Sequence, residues 1–107
     1  MELRSHPRVQ TTMRVSFSSH DFDGLKDGTL YNISVSGCAV ESPTTVAQGT
    51  HVALYLHTPD EQTPITIDLA AVVQASRREF AVKFILVQPD EKRRLEQLIQ
   101  KQFKASA

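Results

Sequence analysis

This chain of 107 residues lacks several features that would assign it to a special class of protein. It has no tryptophan, a single cysteine, and no apolar run near the roughly 20 residues that a membrane-spanning helix needs. A lone cysteine excludes an internal disulfide, which agrees with a reducing compartment. The four histidines show no metal-ligand spacing, and no Ser–His–Asp or Cys–His arrangement indicates catalysis. We therefore expect one globular domain with no metal, no cofactor and no enzymatic activity.

The distribution of charge narrows the class of ligand. The net charge is zero, but residues 1–20 carry three arginines against one glutamate, and residues 21–68 carry one lysine against seven acids. Residues 77–104 carry eight bases against four acids. A domain that binds a nucleic-acid polymer usually has a basic stripe across its whole surface. Positive charge at only the two ends of the chain suits a small anionic ligand better. The first residues also lack the apolar segment of a signal peptide, so we expect a cytoplasmic protein with no membrane insertion.

Alternating apolar residues predict a mainly β domain. Residues 9–17 alternate strictly, which is the period of a half-buried strand. The acidic stretch 18–28 is predicted to be a loop, with strands following at 29–34 and 38–41. Three further alternating sets are predicted to face inward: Val52, Leu54 and Leu56; Ile65, Ile67, Leu69, Ala71 and Val73; Phe80, Val82 and Phe84. Six short strands at this spacing favour an antiparallel β-barrel, because closure removes exposed edges.

The end of the chain changes to a helical period. Pro89 suits the first helical position, and Asp90 and Glu91 suit the first turn of a helix. Apolar residues then recur at helical spacing, namely Leu95, Leu98, Ile99 and Phe103. The sequence therefore predicts an all-β domain with one C-terminal α-helix over 89–104. We expect the apolar stripe of this helix to pack on the barrel or across one of its open ends.

Two short motifs carry the functional signal. Arg4-Ser-His-Pro-Arg8 places two arginines four residues apart, and arginine binds both phosphate oxygens and the O6 and N7 atoms of guanine in a bidentate manner. Asn32-Ile-Ser-Val-Ser-Gly37 places an amide, a hydroxyl and a glycine at fixed offsets in a strand-forming run. We expect Asn32 and Ser34 to project from one face of a strand, with Gly37 adopting a positive φ and letting a ligand approach closely.

Taken together, the two motifs resemble the RxxxR and (D/N)xSxxG signature of the PilZ family, whose members are bacterial receptors for cyclic di-GMP. Gly37-Cys-Ala-Val and Phe80-Ala-Val-Lys-Phe84 resemble further strands of that family, although Ala81 stands where the family commonly has glycine. The resemblance covers about Arg4 to Phe103. It implies a single domain, 1–107, with a flexible ligand-clamping segment at 1–9, a six-stranded barrel at 9–87 and the helix at 89–104.

The resemblance also implies a site and a mechanism. Arg4 and Arg8 would clamp cyclic di-GMP, and Asn32, Ser34 and Gly37 would complete the site. Ser36 and His6 are expected as secondary contacts. Folding of residues 1–9 over the ligand would change the surface shown to an unidentified downstream protein in motility, exopolysaccharide or pilus function. Asn32 is a weaker acceptor for guanine than aspartate, which would lower the affinity.

Several alternatives stay open at this point. The protein would be a monomer or a ligand-dependent dimer. It would also fit a PilZ-like adaptor that binds protein and no nucleotide, although such adaptors usually lack the two motifs. A small barrel that binds single-stranded nucleic acid is disfavoured, because base stacking needs exposed aromatic rings beside a basic groove and most aromatic residues here fall on inward positions.

Overall fold

Six antiparallel strands close into a barrel in the order β1-β2-β3-β6-β5-β4. The computed structural model describes residues 8–59 and 61–106, with side chains as far as residue 102. The elements are β1 (Val9–Ser19), β2 (Phe22–Ile33), β3 (Gly37–Glu41), β4 (His51–His57), β5 (Ile65–Ala75), β6 (Glu79–Leu86) and one helix, α1 (Pro89–Ser106). The predicted fold class, a six-stranded antiparallel barrel with one C-terminal helix, is confirmed.

The core lies inside the barrel and is built by the alternation of side chains along each strand. Every strand contributes apolar residues that are almost fully buried; among the largest are Phe17, Leu30, Ile33, Leu54, Leu56, Ile65 and Ile67. The rings of Phe17 and Phe80 pack edge to face with their centroids 5.1 Å apart. Burying a side chain of this size contributes about 1.5–3 kcal/mol. The barrel interior is therefore a packed core and leaves the outer face of the sheet for binding.

The predicted loop over 18–28 is wrong, because β1 and β2 continue through it as a long hairpin. Ser16 pairs with Asp27 and Phe17 pairs with Lys26, which leaves only residues 20 and 21 between the two strands. The ring of Phe22 packs edge to face on Phe17 at 5.9 Å and holds the hairpin closed. Cross-strand pairing and this aromatic contact outweigh the low strand propensity of the aspartates and glycines.

The predicted inward set of β5 is correct only for its first half. Ile65 and Ile67 are buried, but the next core residues are Ala70 and Val72, whereas Val73 is 45% exposed. The pairing of β4 with β5 shifts between Val52 and Leu54, where β5 holds one extra residue. Such a β-bulge moves every later side chain to the opposite face of the sheet. Leu69, Ala71 and Val73 therefore do not belong to the core.

Helix α1 packs against β1 and β5 and buries Leu95 completely. Ile99 is 6% exposed and Leu98 is partly buried, so the apolar stripe faces the barrel as expected. The side chain of Phe103 lies outside the described residues. Arg94 fixes the helix to the β4–β5 connection by donating to the Pro64 carbonyl at 3.1 Å and to the Glu61 carboxylate at 2.6 Å. In the described part of the chain no helix combines the length and apolar character needed to cross a membrane.

Candidate functional site

A hydrogen bond joins the ends of the two sequence motifs. Val9 pairs with Ile33, so the start of β1 lies beside the end of β2. Arg8 directly precedes β1, and its Nη1 donates to Oδ1 of Asn32 at 3.1 Å. Residues that are 24 positions apart in sequence thus come into contact because the barrel pairs these two strands. Arg4 and His6, the other predicted members of the first motif, lie outside the described residues.

A β-bulge directs Asn32 away from the core. Leu30 and Ile33 are both fully buried although they are three residues apart, and the pairing with β3 shifts between Leu30 and Asn32. The extra residue in β2 breaks the alternation, so that Asn32 points outward while Ile33 points inward. The oxygen of the half-buried Asn32 amide accepts from Arg8, and no described residue accepts from its two N–H groups, which can therefore donate to a ligand.

The loop 34–36 is organised by the buried hydroxyl of Ser34. The backbone N–H of Ser36 donates to Ser34 Oγ at 3.1 Å, and the backbone N–H of Ser34 donates to the Gly37 carbonyl at 2.8 Å. Ser34 is only 1% exposed, and β2 ends one residue before it. The expectation that Asn32 and Ser34 project side by side from one strand face is therefore wrong. Ser36 is half-buried and its hydroxyl lies 3.1 Å from that of Ser34, so Ser36 is the more accessible serine.

Gly37 is required by the packing of two strands. A Cβ atom at this position would lie 2.3 Å from the backbone oxygen of Val82 on β6, far inside van der Waals contact. Positive φ occurs at Gly24 and Gly49 among the described residues, and Gly37 does not share it. The expected positive φ at Gly37 is therefore wrong. The reason for glycine here is the close approach of β3 and β6, which fixes the motif loop against β6.

Two titratable side chains next to the motif are held in their neutral forms. Burial raises the pKa of Cys38 to about 12, and the nearby positive charge of Arg8 opposes this rise. Burial is also the main reason why the pKa of Tyr31 is raised. A hydrogen bond with Glu79 and the negative charges of Glu79 and Glu41 raise this pKa further. Cys38 is thus an unreactive core thiol, whereas Tyr31 supplies a phenol beside Asn32. Sequence reasoning missed Tyr31, and its only signal was an aromatic residue next to the motif.

A serine, a histidine and an aspartate do meet on the outer face of the barrel, at Ser16, His57 and Asp27. Ser16 Oγ donates to the Asp27 carboxylate at 3.2 Å and lies 2.9 Å from Nε2 of His57. In a hydrolytic triad the histidine lies between the serine and the carboxylate and takes the proton of the hydroxyl. Here the serine lies in the middle and donates a hydrogen bond to Asp27, so these three residues do not have the order of a triad. We interpret the cluster as a structural link between β1, β2 and β4.

A cleft of about 570 Å³, separate from the motif residues, opens on the outer surface beside this cluster. Its lining includes Arg14, Asp27, Glu41 and Arg78. Two carboxylates face two guanidinium groups, so the net charge of this lining is close to zero. A dianionic ligand gains little there compared with the surface around Arg8. Within the described ranges, 8–59 and 61–106, no group of three or more acidic, histidine or cysteine side chains could hold a metal ion.

Comparisons with known proteins give one family model and several similar solved structures. The family model described as PilZ domain matches residues 2–101. A comparison with curated protein sequences found no match. Among solved structures, the chain is similar to the PilZ domain with c-di-GMP of YcgR from Escherichia coli. The two are 15% identical with a TM-score of 0.79, and the match covers 98% of this chain and 95% of that domain.

Two longer proteins contain a similar fold. The Bacillus subtilis inhibitor of motility MotI/DgrA is 19% identical with a TM-score of 0.75, and the match covers 97% of this chain and 53% of that one. MrkH of K. pneumonia, in a c-di-GMP complex, is 18% identical with a TM-score of 0.74, and the match covers 99% of this chain and 55% of that one. This chain therefore spans about half the length of both proteins. At these identities the likeness shows the fold.

Proposed function

The chain belongs to the PilZ domain family, and from this premise we propose that it is a receptor for cyclic di-GMP. The observation that carries the proposal is the hydrogen bond between Arg8 and Asn32, which joins one described residue of each family motif on the outer face of the barrel. Two of the similar structures are titled as complexes with this ligand. The proposed site residues are Arg4, Arg8, Asn32, Ser34 and Gly37, with Ser36 and His6 as secondary contacts.

The chemistry of the described residues matches the ligand. Arg8 is half-buried and hydrogen-bonds to a neutral amide, so its charge is not cancelled by a carboxylate there. A guanidinium of this kind can bind a phosphate oxygen or fork onto the O6 and N7 atoms of guanine. The free N–H donors of Asn32 suit the same acceptors. Ser34 and Gly37 contribute to binding indirectly, because they shape the loop that positions Asn32 and Ser36.

The proposed mechanism is closure of the segment 1–9 onto the barrel. Arg8 directly precedes β1, whose first residues pair with β2, while the pairing of β1 with β4 begins at Arg14. Arg4 would then bind the ligand from the other side, and the ordering of this segment would change the surface shown to a downstream protein. We propose a partner in motility, exopolysaccharide or pilus function. Of the similar proteins, the one from Bacillus subtilis is titled an inhibitor of motility.

Calorimetric titration of the full chain with cyclic di-GMP tests the proposal, with GMP and cyclic di-AMP as control ligands. We expect selective binding of cyclic di-GMP at micromolar or lower Kd, and the stoichiometry distinguishes one bound molecule from a stacked pair. Absence of heat, together with an unchanged melting temperature at high ligand concentration, would refute the receptor function. The leading account would then be a PilZ-fold adaptor that binds protein and no nucleotide.

The variant Arg8→Ala tests the clamp directly. We expect at least a roughly tenfold loss of affinity, because a charge-assisted hydrogen bond contributes about 1.5–3 kcal/mol. Thermal stability should change little, since the one hydrogen bond that the Arg8 side chain makes within the described residues has a neutral, half-buried partner. Arg77→Ala, at the exposed tip of the β5–β6 hairpin, is the matched control and should bind as the wild type does. Unaltered binding by Arg8→Ala would remove Arg8 from the site.

A further inference from the structure

Lys83 on β6 lies directly beside the motif loop. It is the pairing partner of Gly37, and a Cβ atom built on Gly37 would lie 3.5 Å from the Cα of Lys83. The next residue along β6, Phe84, donates its backbone N–H to the carbonyl of Ser36 at 2.8 Å. The backbone of Lys83 is therefore held on both sides by contacts between β6 and the motif. Its position relative to Asn32 follows from strand pairing and not from a mobile loop.

The side chain of Lys83 shares the outer face with Asn32. Val82 is 1% exposed and faces the core, so Lys83 faces outward, and its side chain is exposed. Asn32 pairs with Ala39, which pairs in turn with Ala81, two positions from Lys83 on the same face of β6. Two strand spacings of about 4.8 Å separate β2 from β6. A lysine has a flexible four-carbon stem, so the ammonium can approach the side of the barrel that Arg8 and Asn32 occupy.

Small residues keep the space next to Lys83 open. Its pairing partners on the two neighbouring strands are Gly37 and Ala71, which present no side chain and one methyl group. Between Lys83 and Asn32 the outer face carries Ala39 and Ala81. The phenol of Tyr31 reaches the part of β6 near Glu79 and Ala81, so the open space beside Lys83 lies toward Gly37 and Ala71.

Lys83 is also a cation without a counter-charge. Within the described parts of the chain it forms no ion pair, whereas Arg14, Arg93 and Arg94 each pair with a carboxylate. Arg8 has only the neutral amide of Asn32. The positive charge of Arg8 opposes the rise that burial causes in the pKa of Cys38, and the pairing partner of Cys38 is Val82, the residue before Lys83. Arg8 and Lys83, which form no ion pair with a described carboxylate, thus lie on two sides of one patch of the outer surface.

We propose that Lys83 is a further ligand-binding residue, which binds one phosphate of a dianionic cyclic dinucleotide while Arg8 binds on the other side. This inference rests on the proposed receptor function. Lysine suits the position because it binds phosphate as a point charge on a flexible stem and needs no fixed bidentate geometry. The positive charge of Lys83 complements one of the two negative charges of such a ligand and adds to the charges of Arg8 and of the proposed Arg4.

The experiment is calorimetric titration of the full chain and of the variants Lys83→Gln, Lys83→Arg and Lys92→Gln with cyclic di-GMP at two salt concentrations. Lys92 is an exposed lysine on α1 that forms no ion pair with any described residue, so Lys92→Gln removes the same charge away from the motif. We expect Lys83→Gln to weaken binding about tenfold and to reduce its salt dependence. Lys83→Arg should retain most of the affinity, Lys92→Gln should bind as the wild type does, and all melting temperatures should agree.

Lysine acetylation of the wild-type protein, followed by mass spectrometry, gives a second readout that needs no variant. Bound cyclic di-GMP should slow modification of Lys83 and leave that of Lys92 unchanged. Wild-type binding combined with equal affinity of Lys83→Gln, or with no protection of Lys83, overturns the inference and leaves the receptor function standing. A wild-type chain that does not bind cyclic di-GMP overturns both.

Discussion

Replacing Gly37 by alanine separates two explanations for a motif glycine. If glycine is present because a ligand approaches its Cα, the substitution removes binding and leaves the barrel intact. The structure gives the other explanation, since the new Cβ would lie 2.3 Å from the backbone oxygen of Val82 and 3.4 Å from its carbonyl carbon. Both atoms belong to the backbone of a strand that is paired on each side, so they cannot rotate away as the end of a flexible side chain can.

The expected loss of stability follows from this geometry. Overpacking by a methyl-sized group typically costs about 1–3 kcal/mol, and a clash with strand backbone belongs at the upper end of that range. Relief by separating β3 from β6 would break ladder hydrogen bonds worth about 1 kcal/mol each. We therefore expect Gly37→Ala to lower the free energy of unfolding by about 3 kcal/mol or more. In a domain of about 100 residues this corresponds to a melting temperature lower by roughly 12–24 °C.

Thermal unfolding followed by circular dichroism measures this effect, and Gly24→Ala is the control. Gly24 has a φ of +71° with no atom within 4 Å of a built Cβ, so alanine there meets only the backbone penalty of about 1–2 kcal/mol. The order of stability should be wild type, then Gly24→Ala, then Gly37→Ala. If Gly37→Ala melts within about 3 °C of the wild type and fails only to bind ligand, the packing explanation is refuted.

Three other substitutions or treatments test separate parts of the fold. Arg94→Met should lower the free energy of unfolding by about 2 kcal/mol, because it removes the charge-assisted hydrogen bonds that fix α1. The control Lys92→Met should have little effect, and equal denaturation midpoints of the two variants would contradict this prediction. Ser34→Ala should cost about 1–2 kcal/mol by leaving a backbone N–H without its acceptor, and Ser36→Ala clearly less, as measured by urea unfolding. Cys38, whose pKa is raised to about 12, should resist thiol reagents at pH 8 until the protein unfolds, and rapid labelling of the native protein would show that the barrel opens readily.

Much of the fold follows from local patterns in the sequence. The strict alternation at the beginning of β1 and the inward set of β4 correspond to buried residues, and the change of period at Pro89 marks the start of α1. The predictions fail where a strand contains an extra residue, or where pairing with a neighbouring strand holds polar residues in the sheet. The bulge after Ile67 cannot be read from β5 alone, because it exists only in relation to its neighbour β4. The hairpin across residues 18–28 likewise depends on the contact between Phe17 and Phe22.

The candidate site shows the same division between local and tertiary information. The motifs predicted that Arg8 and Asn32 belong to one site, and strand pairing places Arg8 Nη1 3.1 Å from Asn32 Oδ1. The motif correctly drew attention to Ser34 and Gly37, but their roles differ from the expected ones. The hydroxyl of Ser34 is buried in the loop, and the absence of a Cβ on Gly37 lets β6 approach. Lys83 lies in the segment Phe80–Phe84 that resembles a strand of the family, but it belongs to neither of the two ligand-binding motifs. Its relevance appears only when the register of β3 against β6 is known.

The immediate connection of Arg8 to β1 has a practical consequence for reporters. Seven residues precede Arg8, and a chain spans at most about 3.3–3.6 Å per residue, so a fluorophore attached at residue 1 is tethered within about 25 Å of the site. Helix α1, in contrast, packs against β1 and β5 and extends over 18 residues, about 27 Å, so a fluorophore at its last residue is carried by the folded domain. A dye at the amino terminus is therefore suited to sensing nucleotide capture, and the same dye at the carboxyl terminus serves as its reference.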